Sequence, residues 1–151
     1  MLWHDAAFSY LHFVFAFIVV AALAAELFVL RLPVDGKVAR LLLRIDLFYG
    51  VSAVGVILAG IARVVWGAKG YEYYMDQPFF WAKMATFGLI GIISIAPTRA
   101  FMGWLKRANA DASAVVPEAD AKKIRRLVMI ELHIFALLLL FAALMARGIG
   151  S

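Results

Sequence analysis

Four long apolar stretches occupy most of this chain of 151 residues and constrain its fold more than any other feature. They lie at about residues 6–30, 45–66, 79–97 and 127–147. Each is close to the roughly 20 residues that a helix needs to cross a hydrocarbon core of about 30 Å. Hydrophobic residues make up 66% of the chain, which leaves too few polar side chains to cover a soluble domain of this length. We therefore predict an all-α integral membrane protein, a four-transmembrane-helix bundle that forms a single domain over residues 1–151.

The basic residues predict how this bundle is oriented. Eleven of the 15 Lys and Arg residues lie in the first and third connections: Arg31, Lys37, Arg40, Arg44, Arg99, Lys106, Arg107, Lys122, Lys123, Arg125 and Arg126. Because cytoplasmic loops carry an excess of Lys and Arg, both connections are expected inside and both termini on the outer, periplasmic face. These loops also explain the net charge of +5, so no nucleic-acid partner is expected.

The chain has no cysteine, which excludes disulfides, thiolate metal sites and covalent c-type haem attachment. Any metal or haem ligand must then come from His, Lys, Met, Tyr or a carboxylate. The first stretch contains the tripeptide Ala22-Leu23-Ala24, which would suit a signal-peptide cleavage site, but no positively charged region precedes it. We expect it to be retained as the first transmembrane helix.

Turn residues predict several helix boundaries. Pro33, Asp35 and Gly36 indicate a tight turn in which Asp35 caps the second helix. Pro117 is expected at the first position of the last helix. The tyrosine-rich segment at residues 68–78 is expected to form an aromatic loop at the headgroup boundary. The stretch from residue 99 to residue 126 is expected to be the longest connection.

Six ionisable side chains lie inside the apolar stretches, where each costs a few kcal/mol unless it is paired or solvated. By a rise of 1.5 Å per residue, they divide into two layers. The outer layer contains His12 and Lys83, and the inner layer contains Glu26, Asp46, Glu131 and His133. Intramembrane ionisable groups of this kind are the first candidates for a functional site.

Helical geometry predicts which of these groups face the bundle interior. At 100° per residue, His12 and Glu26 are separated by about 40°, so both can point inward. Glu131 and His133 are separated by about 200°, so only one of them can point inward. We expect Glu26 to contact His133, either directly or through Asp46 or water.

Each group also has a purely structural interpretation. An intramembrane histidine often serves as a hydrogen-bond partner, and Lys83 lies close enough to the interface to extend into water. Glu26 and Asp46 could form interfacial ion pairs with Arg31, Arg40 and Arg44. A stripe of small residues on the second helix favours close helix packing and would also admit a flat ligand. The stripe consists of Asp46, Gly50, Ala53 and Gly60.

Five segments carry a resemblance to a known family: RIDLFYGVSA at residues 44–53, GIAR at 60–63, YY at 73–74, QPFFWAK at 77–83 and SIAPT at 94–98. They are similar to a family of small bacterial four-span membrane proteins known only as a domain of unknown function. The resemblance implies a multi-pass protein of the bacterial inner membrane. It implies no activity.

More distantly, the layout resembles HemJ-type protoporphyrinogen oxidases and the related membrane domain of CopD-type copper-resistance proteins. These share a histidine near the outer start of the first helix, here His12, and a tryptophan closely followed by a lysine at the start of the third, here Trp81 and Lys83. In the HemJ type, this histidine and lysine are implicated in haem binding and activity. The resemblance therefore implies a haem b site with His12, Lys83 and Trp81, in which His12 and Lys83 are the metal ligands.

The depths of His12 and Lys83 in the membrane are consistent with that pair of ligands. A b-type haem between helices needs two axial ligands at one level, and His12 and His133 differ by roughly 10 Å along the membrane normal. We therefore hypothesise a HemJ-like protein that binds haem b or a porphyrin in the outer half of the bundle and acts in redox chemistry, as a membrane oxidoreductase. The alternatives are an accessory subunit of a larger membrane complex or a homo-oligomer, and a small proton or cation transporter that uses Glu26, Asp46 and His133.

Overall fold

The computed structural model describes residues 2–149, and its regular structure is entirely helical within that range. The five helices are α1 (Leu2–Val29), α2 (Gly36–Trp66), α3 (Gly70–Met75), α4 (Pro78–Ala110) and α5 (Glu118–Ala146). Four of them are long and apolar enough to cross a membrane, and α3 is a short helix between two of these. The prediction of an all-α bundle with four spans is confirmed.

The long helices pack in the cyclic order α1, α2, α4, α5. The most extensive contacts join α1 to α2 and α4 to α5, while α2 against α4 and α1 against α5 close the bundle. At one end, the Asp5 carboxylate accepts a hydrogen bond from the Ala68 backbone N–H. We call this the terminal end, because it carries α3, the start of α1 and the end of α5. At the other, the basic end, the Val116 N–H donates to the Val34 carbonyl and joins the two connections.

Asp35 caps α2 as its sequence context predicts. Its Oδ1 accepts hydrogen bonds from the backbone N–H groups of Lys37 at 2.9 Å and Val38 at 2.8 Å. These donors have no partner within the helix, so the cap satisfies them. The basic residues of the first connection after Asp35 consequently lie on helical turns of α2 rather than in a loop.

The second long hairpin differs from the prediction in its connection. α4 continues through Pro97 to Ala110, so the connection comprises only residues 111–117. Pro97 removes one intrahelical hydrogen bond, a loss that transmembrane helices tolerate when neighbouring groups compensate. Pro117 is the N-cap residue of α5, one position before its expected place.

The expected aromatic loop contains α3, which closes the terminal end. The Tyr74 ring is buried and packs against Phe80 with a centroid separation of 5.7 Å. The Tyr73 hydroxyl donates a hydrogen bond to the Met145 carbonyl at 3.1 Å. α3 therefore connects the end of α2 and the start of α4 to the end of α5.

Glycine permits the closest approach between α1 and α2. A Cβ on Gly55 would lie 2.7–2.8 Å from three ring atoms of Phe15, closer than real side chains approach. Gly50, a member of the small-residue stripe, has nothing within 4 Å of such a Cβ. The packing contact is therefore made by Gly55, on the opposite side of α2 from Asp46.

Candidate functional site

A cavity of about 360 Å³ lies in the terminal half of the bundle and is lined by side chains of all five helices. Its wall is largely apolar and includes Ile57 of α2, Phe87 of α4 and Leu138 of α5. Three basic side chains also line it: His12, Arg63 and Lys83. The structure thus brings the two residues of the predicted outer layer, His12 and Lys83, to one cavity.

His12 is held in a defined orientation. Its Nδ1 lies 3.0 Å from the backbone carbonyl oxygen of Val56, which requires Nδ1 to carry the proton and donate it. The ring packs against Gly60, where a Cβ would lie 3.5 Å from the imidazole Cε1, at ordinary van der Waals distance. Nε2 takes part in no hydrogen bond with the described residues. The ring therefore offers the Nε2 lone pair as a potential ligand.

Arg63 and Lys83 add positive charge beside His12. Both interact electrostatically with the imidazole, and neither forms an ion pair within residues 2–149. The Arg63 Nε is buried without a hydrogen-bond partner, and the guanidinium carbon lies 6.0 Å from the centroid of the Phe13 ring. An apolar cavity with unpaired cations on its wall suits a ligand with an apolar body and an anionic group.

Arg63 was not among the residues predicted for the site, although it lies within the second apolar stretch at residues 45–66. Its spacing along α2 could have identified it, because Arg63 follows Gly60 by three residues and Val56 by seven and so lies on the same face of the helix. Trp81, by contrast, does not line the cavity. Its side chain is 55% exposed, and its indole N–H donates to the Met75 carbonyl at 3.1 Å.

A second polar cluster lies nearer the basic end. The carboxyl groups of Glu26, Asp46 and Glu131 come from α1, α2 and α5, and these residues are 1%, 7% and 1% exposed. The Thr98 hydroxyl donates to Asp46 Oδ1 at 2.9 Å, and the Tyr49 hydroxyl donates to Glu131 Oε2 at 3.4 Å. Asp46 and Glu131 both interact electrostatically with Glu26. We call these three residues the carboxyl cluster.

The predicted contact between Glu26 and His133 is wrong. Glu131 faces the interior, while His133 is exposed and its Nδ1 lies 2.7 Å from the Met129 carbonyl of its own helix. This outcome confirms that only one of the two α5 residues can point inward. The carboxyl cluster thus contains Glu131 and not His133, which the transport hypothesis had assigned to it.

The ion pairs considered for Glu26 and Asp46 are also not formed. Both carboxyls are buried, whereas three arginines of the first connection, Arg31, Arg40 and Arg44, are exposed. The Arg31 guanidinium instead lies 5.3 Å from the centroid of the Phe28 ring. Interfacial pairing therefore does not explain the buried carboxyls.

The outward surface defines the class of protein. Large apolar side chains such as Phe17, Phe48 and Ile92 are exposed along the long helices, which suits contact with lipid rather than water. With four candidate spans, this is a multi-pass integral membrane protein that lies in a lipid bilayer.

A family model described as "Predicted membrane protein (DUF2214)" matches residues 4–150, and the chain belongs to this family. The resemblance to an uncharacterised four-span family is confirmed. No curated protein and no solved structure matches the chain.

Proposed function

We propose that the protein binds haem b, or a closely related anionic tetrapyrrole, in the cavity at the terminal end. The observation that carries this proposal is the orientation of His12, whose Nδ1 is engaged by the Val56 carbonyl while Nε2 is free beside the cavity within the described part of the chain. Histidines that bind metals commonly donate their second ring N–H to a carbonyl or carboxylate, which fixes the tautomer and the ring plane. His12 is thus the proposed axial ligand.

The rest of the cavity suits the other parts of such a ligand. Its volume of about 360 Å³ falls within the range of about 300–1,000 Å³ for small-molecule sites. The apolar wall would contact the ring. The Arg63 side chain would bind a propionate, and Lys83 would be the second axial ligand.

If His12 and Lys83 both held the haem, it would supply electron transfer. We therefore propose a redox role, and a location in the bacterial inner membrane with both termini on the outer face. The distribution of basic residues supports this orientation, because the basic end carries both basic connections.

Haem titration of the protein purified in detergent tests the proposal. We expect a Soret band in the parent protein and its loss in His12→Ala. The matched control His133→Ala should retain the band, since His133 is exposed and does not line the cavity. Lys83→Met should retain haem with a shifted spectrum, because a thioether can replace the sixth ligand. Lys69→Met, at an exposed position, is its control.

Two results would contradict this assignment. A parent protein that stays colourless with excess haem would favour an accessory membrane subunit without a cofactor. A haem band that disappears in His133→Ala and survives in His12→Ala would move the site away from the cavity.

A further inference from the structure

The carboxyl cluster is independent of the proposed haem site. Glu26 follows His12 by 14 residues on α1, which separates the two sites by about 20 Å along the helix axis. No residue that lines the cavity belongs to the carboxyl cluster. Its chemistry therefore has to be explained by its own surroundings.

No cation among the described residues balances these carboxyls. The polar groups that face Glu26, Asp46 and Glu131 are the other members of the cluster, the Tyr49 hydroxyl from α2 and the Thr98 hydroxyl from α4. Lys, Arg and His are not among the groups of residues 2–149 that interact with them. A buried carboxylate without a counter-ion is so unfavourable that it acquires a proton or another cation.

Two carboxyl oxygens have no hydrogen-bond partner in the described part of the chain. Glu26 Oε1 and Glu131 Oε1 are fully buried and accept no hydrogen bond, and both residues are only 1% exposed. An unsatisfied carboxylate oxygen costs more than an unsatisfied neutral carbonyl oxygen, because hydrogen bonds to charged groups are the stronger ones. The arrangement thus suits neutral carboxylic acids better than carboxylates.

The three carboxyls of the cluster do not form a metal-binding group. No group of three or more His, Cys, Asp or Glu side chains within residues 2–149 is arranged to hold a metal ion. The carboxyls lie on three different helices and are close enough to interact electrostatically, but they do not converge on one point suited to an ion. Protons require no such convergence, because each carboxyl binds its own.

We propose that Glu26, Asp46 and Glu131 form a proton-binding site that holds protons at neutral pH and exchanges them with water at the basic end of the bundle. Glu26 lies only three residues before the end of α1, about 5 Å along the axis, so the route to that water is short. Tyr49 and Thr98 orient two of the carboxyls and supply hydroxyls along which a proton can move.

Proton release on unfolding tests the site directly. The parent protein, unfolded in weakly buffered detergent at pH 7, should release protons as buried neutral carboxyls become exposed and ionise. Glu26→Gln should release about one proton fewer per molecule, and Glu131→Gln should also release fewer protons than the parent. Glu118→Gln, an exposed carboxyl in the first turn of α5, is the matched control and should equal the parent.

Infrared spectra of the folded protein give a second readout. The parent at pH 7 should show carbonyl bands of protonated carboxylic acids that shift in D₂O, and Glu26→Gln should lack one of them. Glutamine is neutral and has nearly the same shape, so these variants should fold. Equal proton release from parent and Glu26→Gln, with no protonated carboxyl bands, would overturn the proposal. Marked thermal stabilisation of the parent by Na⁺, lost in Glu26→Gln, would do the same and assign the site to a metal cation.

Discussion

A single methyl group at position 55 should separate α1 from α2 and disturb the cavity. In Gly55→Ala the new Cβ would lie 2.7 Å from Phe15 Cγ, an atom at the base of the ring that cannot move without the whole side chain. Overpacking of this kind costs about 1–3 kcal/mol. Replacing glycine by alanine inside a helix also contributes about 0.5–1 kcal/mol of stabilisation.

Gly50→Ala measures the effect of replacing glycine by alanine in a helix without the contact with Phe15. Position 50 is on the same helix, and a methyl group added there would have nothing within 4 Å, so this variant receives only the stabilisation. The unfolding free energies of the two variants should therefore differ by about 1–3 kcal/mol, with Gly55→Ala the less stable. The measurement is unfolding in mixed micelles with increasing denaturing detergent, followed by circular dichroism.

The same substitution should weaken ligand binding, because residue 55 precedes Val56, whose carbonyl bonds to His12. A Phe15→Ala background provides the decisive control. There the ring is gone, so adding Gly55→Ala should no longer destabilise the protein. Equal stability of Gly50→Ala and Gly55→Ala in the parent background would refute the argument from close helix contact.

Three further predictions concern the ends of the bundle. Asp35→Ala should reduce the unfolding free energy by about 0.5–2 kcal/mol through loss of the cap, and an unchanged unfolding curve would contradict it. Hydrogen bonds from the hydroxyl and backbone N–H of Ser113 hold the pKa of Asp111 below its usual value. The order they give the connection is therefore present above about pH 4 and lost as the pH falls further, which should appear as a lower protection factor of the Ser113 amide, its exchange rate being compared with the intrinsic rate at each pH. A reporter fused after Ser151 should respond on the outer face of the membrane, and a cytoplasmic response would reverse the orientation.

Much of the fold was predictable because membrane-spanning segments are recognisable by length and apolar composition alone. The cap at Asp35 was predictable because capping depends on a few adjacent residues. The shared level of His12 and Lys83 followed from counting residues along helices of fixed rise. These inferences use local sequence or distance along an axis and need no knowledge of which face of a helix points inward.

The rotation of each helix was harder to predict. In a soluble protein the polar face marks the outside, but lipid and bundle interior are both apolar, so periodicity gives a weak signal. The choice between Glu131 and His133 therefore could not be made from α5 alone. Arg63 was missed for a related reason, since the composition of α2 does not show at which residue the helix leaves the bilayer. The helix through Pro97 was missed because proline is a weaker stop signal in a membrane.

The division of the bundle into two hairpins has a consequence for biogenesis. α1 and α2 are joined by a short connection at residues 30–35 and share extensive contacts, so the first hairpin can associate while the ribosome is still synthesising the second. The cavity, however, takes wall residues from all five helices, including Met145 at the end of α5. A chain halted before α5 has only part of this wall. The cavity is therefore complete only after α5 has been synthesised and the second hairpin has docked, so a ligand that needs the whole wall binds late in assembly.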